Sequence, residues 1–153
     1  MPRRVFVPVV LLLAWSLFVW VGRVRNALGD PELSGSERVG PLLLATSFVV
    51  PSVVLAIVLL ASARRSRGVG PVLRYGVLAL AAWTCGVWVV RMIDIAFGGD
   101  WEVAFVVVHA VLAVVSVVLA VVAARAVSGV RDAAGGGSAA ATGVGSTAGA
   151  DLR

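Results

Sequence analysis

Trp83-Thr84-Cys85-Gly86-Val87-Trp88-Val89-Val90-Arg91-Met92-Ile93-Asp94 is an apolar run that holds two tryptophans and ends on an arginine and an aspartate. The same spacing stands earlier in the chain, at Trp15, Ser16, Trp20, Arg23 and Asn26, 68 positions upstream (83 minus 15). Leu12/Leu80, Ala14/Ala82, Val19/Val87 and Val21/Val89 are identical in the same register. Matches among Val, Leu and Ala carry little weight in so apolar a chain. Two tryptophans and an arginine in register, with a hydroxyl and an Asn/Asp, carry more. The pattern reads as two copies of one membrane hairpin.

Composition agrees with a membrane setting. Of 153 residues, 60% are hydrophobic and 14% charged, and the mean hydropathy is +1.03. Soluble domains run at roughly 45–50% apolar and about 25% charged. The net charge of +5 and pI of about 11.3 do not point to nucleic acid. The basic residues are all arginines placed between apolar runs rather than along one face. The abundance of Val, Ala, Gly and Arg suggests a high-GC genome of the actinobacterial kind. Cys85 is the single cysteine, so no disulfide can form within the chain.

Four apolar spans are expected, over residues 5–22, 42–63, 72–97 and 103–124, each long enough to cross a hydrocarbon core of about 30 Å. The first could instead be a signal peptide. Its length and the arginines at 23 and 25 argue for a retained span. Residues 23–40 read as a polar connection, with Asp30-Pro31 and Ser34-Gly35 as turn signals and Pro41 in the first turn of the next helix. Pro51 should bend the second span, with Thr46 and Ser47 helping to satisfy the freed backbone. Residues 128–153 read as a disordered tail. The expected architecture is an all-α, four-helix transmembrane bundle made of two tandem helical hairpins. The halves are 1–67 and 68–127, related as a parallel internal repeat. The second helices match weakly, with Phe48 opposite Phe105.

Arginine placement sets the expected orientation. Arg3, Arg4, Arg64, Arg65, Arg67, Arg74, Arg125, Arg131 and Arg153 fall on one side, with Asp132 and Asp151. Arg23, Arg25, Arg38 and Arg91 fall on the other, with Asp30, Glu32, Glu37, Asp94, Asp100 and Glu102. The first side is expected to be cytoplasmic, with both termini there and the protein multi-pass in the plasma membrane.

Ser16, Trp20 and Arg23 share a helical stripe, as do Thr84, Trp88 and Arg91, with Asp94 one turn from Arg91. Trp20, Trp88 and Trp101 read as interfacial anchors. Arg23, Arg91, Asp94 and His109 are the candidates for an outward-facing anion or proton site, because an ionisable group within a span is a functional candidate. His109 should point into the bundle, towards Trp88, Arg91 or Asp94. Ala113, Ser116, Ala120 and Ala124 form a small-residue face suited to close helix packing. Neither a metal nor another cofactor is expected. The expected partners are the lipid bilayer, a second copy or another membrane protein, and not nucleic acid.

The second half resembles small integral membrane proteins of actinobacteria. In these a Trp-x4-Trp helix ends on a polar residue and its partner helix carries a Phe-to-His run. Here those are Trp83, Trp88 and Arg91, with Phe105-Val106-Val107-Val108-His109 and Ser116. The first half departs from the pattern, having no histidine and carrying Pro51. The resemblance implies an origin and no mechanism. A non-enzymatic structural or accessory membrane component is the leading functional expectation, and a small transporter or anionic-ligand-binding protein is the alternative.

Overall fold

A computed structural model describes residues 2–65 and 69–141. The protein is an all-α bundle of four helices: α1 (Arg3–Gly29), α2 (Gly35–Arg64), α3 (Pro71–Phe97) and α4 (Val103–Ala141). Each is long and apolar enough to cross a membrane. Helix α1 packs on α2, α3 on α4, α1 on α4 and α2 on α3, so the hairpins close into one four-sided bundle.

Helix ends follow local chemistry. Helix α1 stops at Gly29 because Asp30 precedes Pro31, and a residue before proline is pushed out of the helical region. Helix α2 starts after Ser34, whose backbone N–H donates to Glu37 Oε2 at 2.8 Å, half of a capping box. Arg38 Nη2 ties back to the Asp30 carbonyl at 2.6 Å. Pro71 opens α3, where its missing N–H costs nothing. Gly99, at φ 129°, takes a conformation that side-chain-bearing residues rarely adopt, and so turns the chain into α4.

Two boundaries differ from the sequence reading. The connection between α1 and α2 is residues 30–34, not 23–40, because Arg23 to Leu28 contains no helix breaker and the helix carries on beyond the apolar run. Pro41 therefore falls in the second turn of α2. Helix α4 runs to Ala141, past residue 128 where the tail was expected, with no proline to stop it. Arg67 and residues 142–153 lie outside the described residues.

The core has one register throughout. Buried residues of α1 and α3 lie 68 apart: Val5 and Leu73, Val9 and Val77, Leu12 and Leu80, Leu13 and Ala81, Ser16 and Thr84, Trp20 and Trp88, Ala27 and Ile95. Those of α2 and α4 keep the same offset: Ala45 and Ala113, Phe48 and Ser116, Ser52 and Ala120, Leu55 and Ala123, Leu59 and Val127. The helices start and end in that register too, α1 and α3 at both ends and α2 and α4 at their starts. Phe48 is thus the counterpart of Ser116, not of Phe105. The expected pairing matched residue type, whereas the shared offset lies in which positions are buried.

Candidate functional site

Polar side chains gather at two levels. The first is a belt at mid-height, near Ser16, Thr84 and Ser116. Trp15 Nε1 donates to Ser116 Oγ at 2.9 Å, joining α1 to α4. Trp83 Nε1 donates to Ser47 Oγ at 3.0 Å, joining α3 to α2. Within the first hairpin the buried Ser52 hydroxyl donates to Ser16 Oγ at 3.1 Å. Thr84 and Ser47 donate to carbonyls of their own helices, Leu80 and Leu44, both at 2.7 Å. A hydroxyl inside lipid must find a partner, and these do so within the bundle.

The second level is the end of the bundle where α3 hands over to α4. Arg91 Nη1 pairs with Asp94 Oδ2 at 2.5 Å, one turn along α3. The Arg91 guanidinium also lies 5.7 Å from the ring centres of both Trp101 and Phe105, within cation–π range. Trp101 stacks on Phe105 at 4.8 Å, and Phe105 meets the His109 ring at 3.9 Å. His109 Nδ1 donates to the Phe105 carbonyl at 2.9 Å. Arg91, Asp94 and His109 therefore belong to one neighbourhood, but Phe105 stands between the histidine and the ion pair. Arg23, exposed at the same end on α1, lies within electrostatic reach of Arg91. Arg91 Nε is buried and has no hydrogen-bond partner.

The tryptophans divide. Trp20 and Trp88 face the interior, at 7% and 6% exposure, and Trp20 stacks on Phe48 at 4.1 Å. Trp101 is the exposed one of the three expected anchors, at 40%. The small-residue face of α4 is used within the chain. Ala113, Ser116 and Ala120 are buried, Ala124 is half-buried, and Ala123 and Val127 are completely enclosed. Sequence reasoning missed Ala123 and Val127 because a spacing of four drifts about 40° per step off a 3.6-residue helix. Alternating steps of three and four, through 113, 116, 120, 123 and 127, would have found them.

Two grooves open sideways between helices. One, of about 420 Å³, lies between α2 and α3 and includes Ser47, Pro51, Leu55, Gly76, Ala79 and Trp83. The other, of about 530 Å³, lies between α3 and α4 beside Trp88, Met92 and Phe97. Neither is lined by Arg23, Arg91, Asp94 or His109. Among the described residues, no three His, Cys, Asp or Glu side chains come together as metal ligands. Compared with protein-family models, curated proteins and solved structures, the chain matches none.

Proposed function

We propose that this is a multi-pass protein of the cell membrane with both termini in the cytoplasm, serving as a non-enzymatic structural or accessory component that associates with itself or with a membrane partner. The observation that carries this reading is the mid-height belt. The indoles of Trp15 and Trp83 and the hydroxyls of Ser16, Ser47, Ser52 and Ser116 there hold helix to helix, as in a scaffold. We further propose that the chain is two tandem copies of one hairpin. The shared 68-residue register of buried faces supports this, as does the exchange of Trp15 to Ser116 one way and Trp83 to Ser47 the other. Each seam thus carries a Trp-to-Ser bond, with Ser47 one position before Phe48, the register partner of Ser116.

Because Ser116 and Ala120 are buried within the chain, leucines there disturb the bundle first and test association poorly. Crosslinking the wild-type chain in its native membrane is the direct test. A discrete adduct of constant size is expected; a chain that stays monomeric across crosslinkers of different reach overturns the reading. Arg91 Nε, buried and unpaired beside Arg23, favours a second reading: an anion-binding or transporting protein with Arg23, Arg91, Asp94 and His109 at its outer mouth. Anion- or proton-driven flux into liposomes tests it. Flux unchanged by Arg91→Ala with His109→Ala removes it.

A further inference from the structure

We propose that the groove between α2 and α3 is a binding site for one acyl chain of an anionic phospholipid, whose headgroup is held by the arginines at the near end of the bundle. The groove is closed at mid-height by the bond from Trp83 to Ser47. From there it runs along α3 from Trp83 past Ala79 and Gly76 to Val72, two residues before Arg74, beside Ser47 to Leu55 on α2. Trp83 and Val72 are eleven residues apart, about 16 Å along a helix. That is half of a hydrocarbon core about 30 Å thick. The site therefore has the length of one leaflet, with an apolar bed and a cationic mouth.

The bed is shaped for a flexible chain. Gly76 and Ala79 offer no bulk on the α3 wall, and Leu55 fills the notch at Gly76 so closely that a side chain there would meet it. Val54 and Val72 on the rim are 51% and 66% exposed, so the groove opens towards lipid rather than into a sealed core. Tyr75, one turn before Ala79, is 60% exposed with the Arg74 guanidinium 5.7 Å from its ring. A phenol and a cation at that depth suit the headgroup boundary.

Charge selects the headgroup. Arg3, Arg4, Arg64, Arg65, Arg74 and Arg125 stand at this end, and all six acids whose side chains are described stand at the other. Arg74 Nε is buried without a partner. An arginine cluster at a bilayer surface recruits anionic lipid. The site is independent of the partner association proposed above, since an isolated chain contains every residue it needs.

The test uses the full chain in liposomes holding phosphatidylglycerol or phosphatidylcholine with a photoreactive acyl chain. Adducts are mapped by peptide mass spectrometry. Adducts on residues 47–55 and 72–83 are expected, several-fold more abundant with phosphatidylglycerol. Pro51→Leu with Ala79→Leu should remove them several-fold, while Arg64→Gln with Arg65→Gln should keep them and abolish the headgroup preference. Because the double leucine variant could misfold, the wild-type map is decisive by itself. Adducts spread equally over residues 4–15 and 115–123 overturn the proposal. So does equal labelling by the two lipids, and so do crosslinks to a second copy through Val72 or Ala79 in place of lipid.

Discussion

Trp15 reaches from α1 to Ser116 on α4, and Trp83 reaches from α3 to Ser47 on α2. The two seams between the hairpins thus carry the same bond, yet they close differently. Helices α1 and α4 lie closer together than α2 and α3, which part around a groove of about 420 Å³. Matching positions explain the difference. On the inner face α4 presents Ser116, Ala120, Ala123 and Val127, where α2 presents Phe48, Ser52, Leu55 and Leu59. Small residues let α4 settle against α1; bulky ones hold α2 off α3. On the outer edge the sizes reverse. Pro51, Gly76 and Ala79 line the groove, where the first seam has Leu119, Pro8 and Leu11. Bulk inside with little outside leaves a groove.

If that account holds, the largest effect belongs to Phe48. It is completely buried, stacked on Trp20 at 4.1 Å and 6.2 Å from Trp83. Phe48→Ala should cost about 3–5 kcal/mol, the usual range for emptying a core aromatic site. Ser116→Ala, at the matching position, should cost about 1 kcal/mol or less. Denaturant titration in mixed micelles, followed by tryptophan fluorescence, measures both. Equal losses would mean that the two inner faces do not differ as described.

Next in size is adding bulk to each seam. Ala120→Leu puts three carbons into a position with no exposed surface and should destabilise the bundle by about 1–3 kcal/mol. Ala79→Leu puts the same three carbons at the groove edge, where space exists, and should change stability by less than about 1 kcal/mol. The same titration separates them. A costly Ala79→Leu would show that the groove is not free volume.

How much of this was readable beforehand depends on where identity and burial coincide. Along α1 and α3 the shared register of buried positions was visible because Trp15, Trp20 and Arg23 are matched by Trp83, Trp88 and Arg91. Along α2 and α4 it was hidden, since Phe48, Leu55 and Leu59 face Ser116, Ala123 and Val127 in register. There the buried face is kept and the side chains are not, so matching by residue type chose Phe105 instead. Among the site residues, the Arg91–Asp94 pair followed from helical spacing alone. The inward aim of Trp20 and Trp88 did not, because tryptophan at a span end serves equally as a lipid anchor or as core. Nor could spacing show that Phe105 would stand between His109 and the ion pair, since that depends on how α3 and α4 rotate against each other.

The two indole bonds offer a finer comparison. Trp15→Phe and Trp83→Phe each keep a ring and remove one hydrogen bond between helices. Such bonds average about 0.6 kcal/mol in membranes. The first variant leaves Ser116 enclosed without its donor, whereas Trp83 is 47% exposed beside the groove. The loss should therefore be greater for Trp15, by a few tenths of a kcal/mol. Double-mutant cycles with Ser116→Ala and Ser47→Ala isolate each bond. A larger coupling on the α2/α3 side would reverse the ranking of the seams.

The smallest effect is expected at the ends of α1 and α3 that carry Arg23 and Arg91. Helix α1 ends its motif on Arg23 and Asn26, and α3 ends on Arg91 and Asp94. Asp94→Asn gives α3 the same Arg and Asn spacing as α1. The Arg91 and Asp94 side chains are 30% and 51% exposed, so solvent screens the pair, and pairs of this kind contribute about 0.5 kcal/mol or less. Arg91 also keeps Trp101 and Phe105 beneath it, so its position should hold without the carboxylate. A stability change below about 0.5 kcal/mol that fades in high salt is the expected result. A loss above about 2 kcal/mol, insensitive to salt, would place the pair in a desolvated site. The Arg91 end of α3 would then differ in kind from the Arg23 end of α1, and the second reading of function would gain over the first.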